Sequence, residues 1–211
     1  MDLLKKLLEK YGYNEPIFIG EVTLQGYSAQ TLRQSFKRLT DAGEIARFDT
    51  GTYYIPTNTV IGKSVLNPRR VIEKKYITDN NKVFGFYSGI SLENSVGLTT
   101  QMPNIIEIVT NNERSRVRNV RVGKQTVRLR KSRTAINNKN VGALQVLDLF
   151  NGIEYNRLDS DERKALSKYI RSKNLTQRQV FENAKNYPMK ALKNMIESGV
   201  VYEFTQKSRV V

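Results

Sequence analysis

Three groups of residues have the types and spacing to do chemistry. The first runs from Tyr27 and Ser28 to Leu39. Ala29, Leu32, Phe36 and Leu39 recur at helical spacing, which makes one face apolar and leaves Gln30, Arg33, Gln34, Lys37 and Arg38 on the other. Arginine can bond guanine in bidentate fashion and glutamine can bond adenine in a major groove. Lys37, Ser28 and the helix N-terminus suit phosphate, with Tyr27 beside Ser28 at that end. A solvated helix face has the same composition, so the flanking elements must decide between the two readings.

The second group is Arg114 to Arg133, with nine basic residues and no acidic one. At strand period Arg114, Arg116 and Arg118 share a face, as do Arg128 and Arg130, with Val117, Val127 and Leu129 opposite. The expected result is a basic surface, serving as a second nucleic-acid contact or as a dock for an acidic protein. An edge guarded by charge against aggregation is an equal alternative. The third group, Asp159, Asp161 and Glu162, sits where a helix would start. Capping and the helix dipole explain it better than a metal ion does.

Composition narrows the chemistry further. The 211 residues contain no cysteine and no histidine, which removes disulfides, Cys/His zinc sites, thiol nucleophiles and the commonest general base. No phosphate-binding GxxxxGK[ST] loop, GxSxG elbow or carboxylate set at metal-ligand spacing occurs. The expectation is a protein that is not an enzyme and uses no cofactor or metal. A metal-dependent nuclease is the least supported class. No apolar run is long enough to span a membrane, and the start lacks a signal-peptide pattern, so a cytoplasmic location is expected.

The formal net charge is +15, which points to an anionic partner, nucleic acid first. Its distribution is uneven: residues 1–56 are net zero, residues 57–140 carry +11 and residues 141–211 carry +4.

The elements that must position these groups can be read from periodicity. Leu3, Leu4, Leu7, Leu8 and Tyr11 form the stripe of a first helix, with Gly12 after it. Ile17 to Leu24 is expected as a short second helix between Pro16 and Gly26, with a strand as the rival. Ser28 caps the third helix and Gly43 closes it. Glu44 to Pro56, with β-forming residues around Asp49-Thr50-Gly51, reads as a hairpin whose tip offers Arg47, Thr50 and Thr52 to a DNA backbone or minor groove.

Helices followed by a hairpin make residues 1–56 an N-terminal winged helix-turn-helix in an α+β chain. A connection is expected over 57–70, and a mixed α+β domain over 71–211. Its elements are a helix from Ser88 to Val96, strands at 105–110, 117–122 and 126–129, helices at 141–150, 161–171 and 176–198 with Pro188 as a breaker, a closing strand from Val200 to Phe204, and a loose tail after it.

The helix-turn-helix with its wing, the Tyr53-Tyr54-Ile55-Pro56 exit and the stretch from Gly85 to Pro103 resemble the AbiEi-type antitoxins. The sharpest part is Gly97-Leu98-Thr99-Thr100-Gln101-Met102-Pro103, followed by an apolar strand and Thr110-Asn111. The resemblance covers roughly residues 1–150 and is least clear after Phe150.

It implies a repressor that binds inverted repeats of double-stranded DNA in its own promoter and counters a nucleotidyltransferase-like toxin without a stable complex. It carries the DNA-reading role to residues 28–42 and the wing around Gly51. The Gly97 to Pro103 motif is itself read as a helix stop, a polar turn and a rigid entry to the next strand. A second class of function stays open, an interaction module in which the basic sheet docks an acidic partner and the winged helix serves as scaffold.

Overall fold

The computed structural model describes residues 3–60 and 62–204, and these form a mixed α+β protein. Two compact units divide the chain: Met1–Lys75 with Val122–Lys124, and Tyr76–Arg121 with Gln125–Val211.

In the first unit, α1 (Leu3–Tyr11) buries Leu3 and Leu7 and ends where Gly12, at φ +81°, donates its N–H to the Leu8 carbonyl. Only glycine takes that backbone conformation at little cost. The segment expected as a second helix is different. Ile17–Phe18 is strand β1, and Ile19–Glu21 is a single 3-10 turn.

Ile17 and Phe18 pair antiparallel with Tyr53 and Thr52, and Ile19 donates its N–H to the Gly51 carbonyl. A β-branched and aromatic run broken by Gly20 gains more from this sheet edge than from a helix too short to bury a face.

Next comes α2 (Ala29–Asp41), followed by β2 (Ala46–Asp49) and β3 (Thr52–Tyr54). The sheet order is β1-β3-β2, so β1 is held against the hairpin. Leu3, Leu7, Ile17, Val22, Leu32, Phe36, Ile45 and Ile55 form the core, with Phe36 edge-on to Tyr53 at 5.0 Å. Burying a phenylalanine or leucine contributes about 1.5–3 kcal/mol, so α2 is fixed mainly through Leu32 and Phe36.

Residues 57–70, expected to connect the two domains, hold the ribbon β4 (Asn58–Thr59) and β5 (Gly62–Lys63) and the first turn of α3 (Pro68–Tyr76). The ribbon and α3 are tied to the first unit by Tyr54 Oη donating to the Ser64 carbonyl, by Lys74 Nζ donating to the Pro16 carbonyl, and by an ion pair between Arg70 and Glu15.

The second unit opens with a ribbon, β6 (Thr78–Asp79) and β7 (Lys82–Val83). It then runs β8 (Gly85–Ser88), α4 (Gly89–Val96), β9 (Ile105–Thr110), β10 (Val117–Val122) and β11 (Gln125–Lys131). The four-stranded sheet has order β10-β11-β9-β8, with β8 antiparallel and β11 parallel to β9. The chain therefore leaves β9, runs along the sheet edge as β10 and turns back as β11.

Helices α5 (Val141–Gly152), α6 (Ser160–Ser172), α7 (Gln177–Ala184) and α8 (Met189–Glu197) complete the unit. They build a core around Leu147, Phe150, Leu166, Ile170, Val180 and Met195. Asp159 and Glu162 form a reciprocal capping box at α6, and Pro188 separates α7 from α8. Val200–Glu203, expected as a closing strand, is a 3-10 turn. The tail expected after Phe204 lies outside the described residues.

Candidate nucleic-acid interface

Ser28 is the N-cap of α2: its Oγ accepts the Thr31 N–H at 3.1 Å, which fixes where the helix begins. Leu32 and Phe36 are buried, Leu39 is half-buried, and Gln30, Arg33, Gln34, Lys37 and Arg38 are all exposed. One expectation fails here, because Ala29 is exposed rather than inward. At the first turn the helix has not yet met the core, and a methyl group buries too little surface to draw it in. Tyr27 is half-buried, with the Lys6 ammonium 5.1 Å from its ring centroid.

The hairpin turns through Thr50 and Gly51, with Gly51 at φ +71° and a register shift between Arg47 and Asp49. Arg47 is exposed but folds over the turn, donating to the Asp49 carbonyl at 3.4 Å and to Thr50 Oγ1 at 3.5 Å. Thr50 is exposed. Thr52 is only 4% exposed and paired with Phe18, so it packs under the sheet and offers nothing to a ligand. Strand alternation past the bulge turns Thr52 inward, which sequence alone did not reveal.

In the second unit the basic strands divide into two populations. Arg114, Arg116, Arg121, Lys131 and Arg133 are exposed, along with most of β10, where Val117 is 51% exposed instead of facing a core. Arg118 is exposed but bound to the buried Glu113, at 2.8 Å.

Burial opposes ionisation of Glu113. The backbone N–H of Ser115, the Arg118 guanidinium and the backbone N–H of Arg114 outweigh burial and hold the carboxyl below the usual range.

Arg128 and Arg130, expected on a basic surface, point into the fold. Arg128 Nη1 donates to Glu107 at 3.0 Å, and Arg130 Nη2 donates to Asp148 at 3.0 Å. Ser88 completes this network. It is fully buried, donates to Asp148 and accepts from Arg130, both by short contacts. With its hydroxyl engaged there, Ser88 leaves the N-terminus of α4 without a side-chain cap.

These groups line a cleft of about 660 Å³ formed by β8, β9, β10 and β11 with α4 and α5. Glu93, Glu107, Ser88 and Asp148 were not singled out from the sequence. The available signal was a carboxylate inside each of two apolar elements, Glu107 in β9 and Asp148 in α5.

Among the described residues no group of three or more Asp, Glu, His or Cys could hold a metal ion, and no helix is long and apolar enough to cross a membrane.

A family profile matches residues 13–178, more than three quarters of the chain. The chain belongs to the DUF6088 family, a family of unknown function. A search of curated proteins returned no match. The DUF6088 match takes in α2, the hairpin, the basic strands and the cleft alike, while α1 and α8 lie outside it. It also contains the Gly97 to Pro103 motif.

There Gly97, at φ +87°, ends α4, and Leu98 donates its N–H to the Glu93 carbonyl at 2.9 Å. Asn94 Nδ2 holds the following turn through the Thr99 and Gln101 carbonyls. That arrangement is the helix stop and polar turn expected for the motif.

Proposed function

We propose that this protein is a DNA-binding autoregulator and antitoxin of the AbiEi type, with α2 as its sequence-reading helix and the β2–β3 hairpin as its wing. The observation that carries the reading is the outward face of α2, where Gln30, Arg33, Gln34, Lys37 and Arg38 are all exposed on a helix fixed by Ser28, Leu32 and Phe36.

The three-stranded sheet that ties β1 to the hairpin supports it, because it gives the wing a rigid base next to the helix. The 3-10 turn at Ile19–Glu21 stands where a full second helix would be, so the turn before α2 is a reduced one.

Sequence specificity is assigned to Arg33, Gln34 and Gln30 through base edges, and positioning to Ser28, Lys37, Arg38 and Thr50 through phosphates. General affinity comes from the exposed arginines and lysines of β10 and β11, since the first 56 residues carry no net charge. The antitoxic half of the proposal rests on the resemblance of Gly85 to Pro103 to that family, and its functional partner would be a nucleotidyltransferase-like toxin.

The exposed edge strand β10 also favours a second reading, docking of an acidic protein. Binding of the full chain to the duplex upstream of its gene, against a scrambled duplex of equal length, separates the two. Preference for the upstream duplex is expected. Equal binding to both, together with a salt-sensitive complex with an acidic gene neighbour, would replace the regulator with the interaction module.

A further inference from the structure

The cleft in the second unit has a charge left over. Arg118 is matched by Glu113, Arg128 by Glu107 and Arg130 by Asp148. The Glu93 carboxylate, on α4 one turn beyond Gly89, has no hydrogen bond or ion pair among the described residues. It faces the end of α5 near Gly152, whose Cβ position lies 3.8 Å from its Oε1.

Burial and the neighbouring Glu107 push the Glu93 carboxyl up, the behaviour of a carboxylate without a counter-charge. The carbonyl end of α5 adds further negative potential there.

Glu107 links Glu93 to a cationic part of the same cleft, because it also holds Arg128 at 3.0 Å. Arg128 uses only Nη1 on Glu107, and neither its other N–H groups nor the Asn119 amide, which also lines the cleft, has a partner among the described residues. Leu92 and the exposed Val117 add apolar surface to the lining. A volume of about 660 Å³ is in the range of small-molecule sites, which run roughly 300–1,000 Å³.

We propose that this cleft binds a small basic amino-acid-type ligand. Its ammonium or guanidinium group sits on Glu93, and its carboxylate on the free N–H groups of Arg128 and the amide of Asn119. A net single positive charge on the ligand restores the balance that Glu93 breaks. A phosphate dianion would instead add two negative charges beside Glu93, Glu107 and Asp148, with only the spare N–H groups of Arg128 and the Asn119 amide to meet them. Gly89 keeps the floor open: at φ +55°, its Cβ position lies 3.0 Å from Glu107 Oε2, so a side chain there would displace the carboxylate that holds Arg128.

The test is calorimetric titration of the full chain with L-arginine, needing no DNA and independent of the regulator reading. Saturable one-to-one binding is expected. Glu93→Gln should weaken it by about tenfold or more, and agmatine, which keeps the guanidinium but lacks the carboxylate, should also bind more weakly. Thermal unfolding of E93Q serves as the folding control, and that variant should be at least as stable as the parent. Absence of saturable heat with L-arginine overturns the proposal. So does unchanged affinity in E93Q, or binding of adenosine monophosphate in preference to L-arginine.

Discussion

Replacing Asp148 by alanine tests the network at the heart of the second unit. The Asp148 side chain is 6% exposed and accepts hydrogen bonds from Ser88 and from Arg130, whose guanidinium has a buried Nε without a hydrogen-bond partner. Removing the carboxylate leaves a largely buried cation whose remaining carboxylate among the described residues is Glu107, 3.9 Å from that Nε.

Breaking one side of a fully buried pair costs about 3–5 kcal/mol. Arg130 keeps 27% of its side chain in water, which lowers the expected loss to about 2–3 kcal/mol. For a chain of this length that corresponds to roughly 5–10 °C in the unfolding midpoint. Calorimetry on the parent, Asp148→Ala, Arg130→Leu and the double variant closes a cycle in which the double variant should lose less than the sum of the singles. Additive losses, or a shift under about 1 °C for Asp148→Ala, would show that the network is not coupled and refute the reasoning.

Acid sensitivity follows from Glu113. Its folded pKa is depressed, so it contributes stability that is present above the ordinary glutamate value of about 4.3 and is lost as pH falls through the lower folded value. Glu113→Gln should therefore lower stability at neutral pH and flatten the loss below about pH 4, read by unfolding midpoints over a pH series. Gly85→Ala places a methyl group 2.0 Å from the Tyr76 carbonyl oxygen, against backbone that cannot yield cheaply, and should cost more than about 3 kcal/mol or prevent folding, as seen by circular dichroism. Thr52→Ala, at a buried position under the hairpin, should reduce stability by about 1 kcal/mol without altering any DNA preference, which a binding titration beside a melt would check.

Much of the framework was legible because it obeys simple periodicity. Leu3, Leu7, Leu32 and Phe36 lie on the inward faces that their spacing implies, and Ile105 to Thr110 forms the strand its apolar run implies, buried from Ile108 onward. Pro188 and the Asp159 capping box divide the C-terminal helices where local rules place the breaks.

The failures have physical causes too. Ile17 to Glu21 is too short to fix its own conformation and takes it from Tyr53 across the sheet, a contact more than thirty residues away in sequence. The same limit hid the fate of Arg128 and Arg130. Their strand spacing is correct, but which face meets carboxylates depends on Glu107 and Asp148, and nothing local links those residues to β11. The cleft at Glu93 was invisible for the same reason, because it exists only where α4, α5 and four strands converge.

Whether α2 reads sequence decides between a regulator and an interaction module. The deciding measurement is affinity for the upstream duplex and for a scrambled one across a salt series, with the parent and with Arg33→Ala/Gln34→Ala/Lys37→Ala. The account predicts that the parent prefers the upstream duplex, and that the triple variant loses this preference. The variant should keep weak, salt-dependent binding with a slope reduced by about one, for the lost Lys37 contact. A parent without preference, or a triple variant that keeps it, would contradict the assignment of α2 as the reading helix.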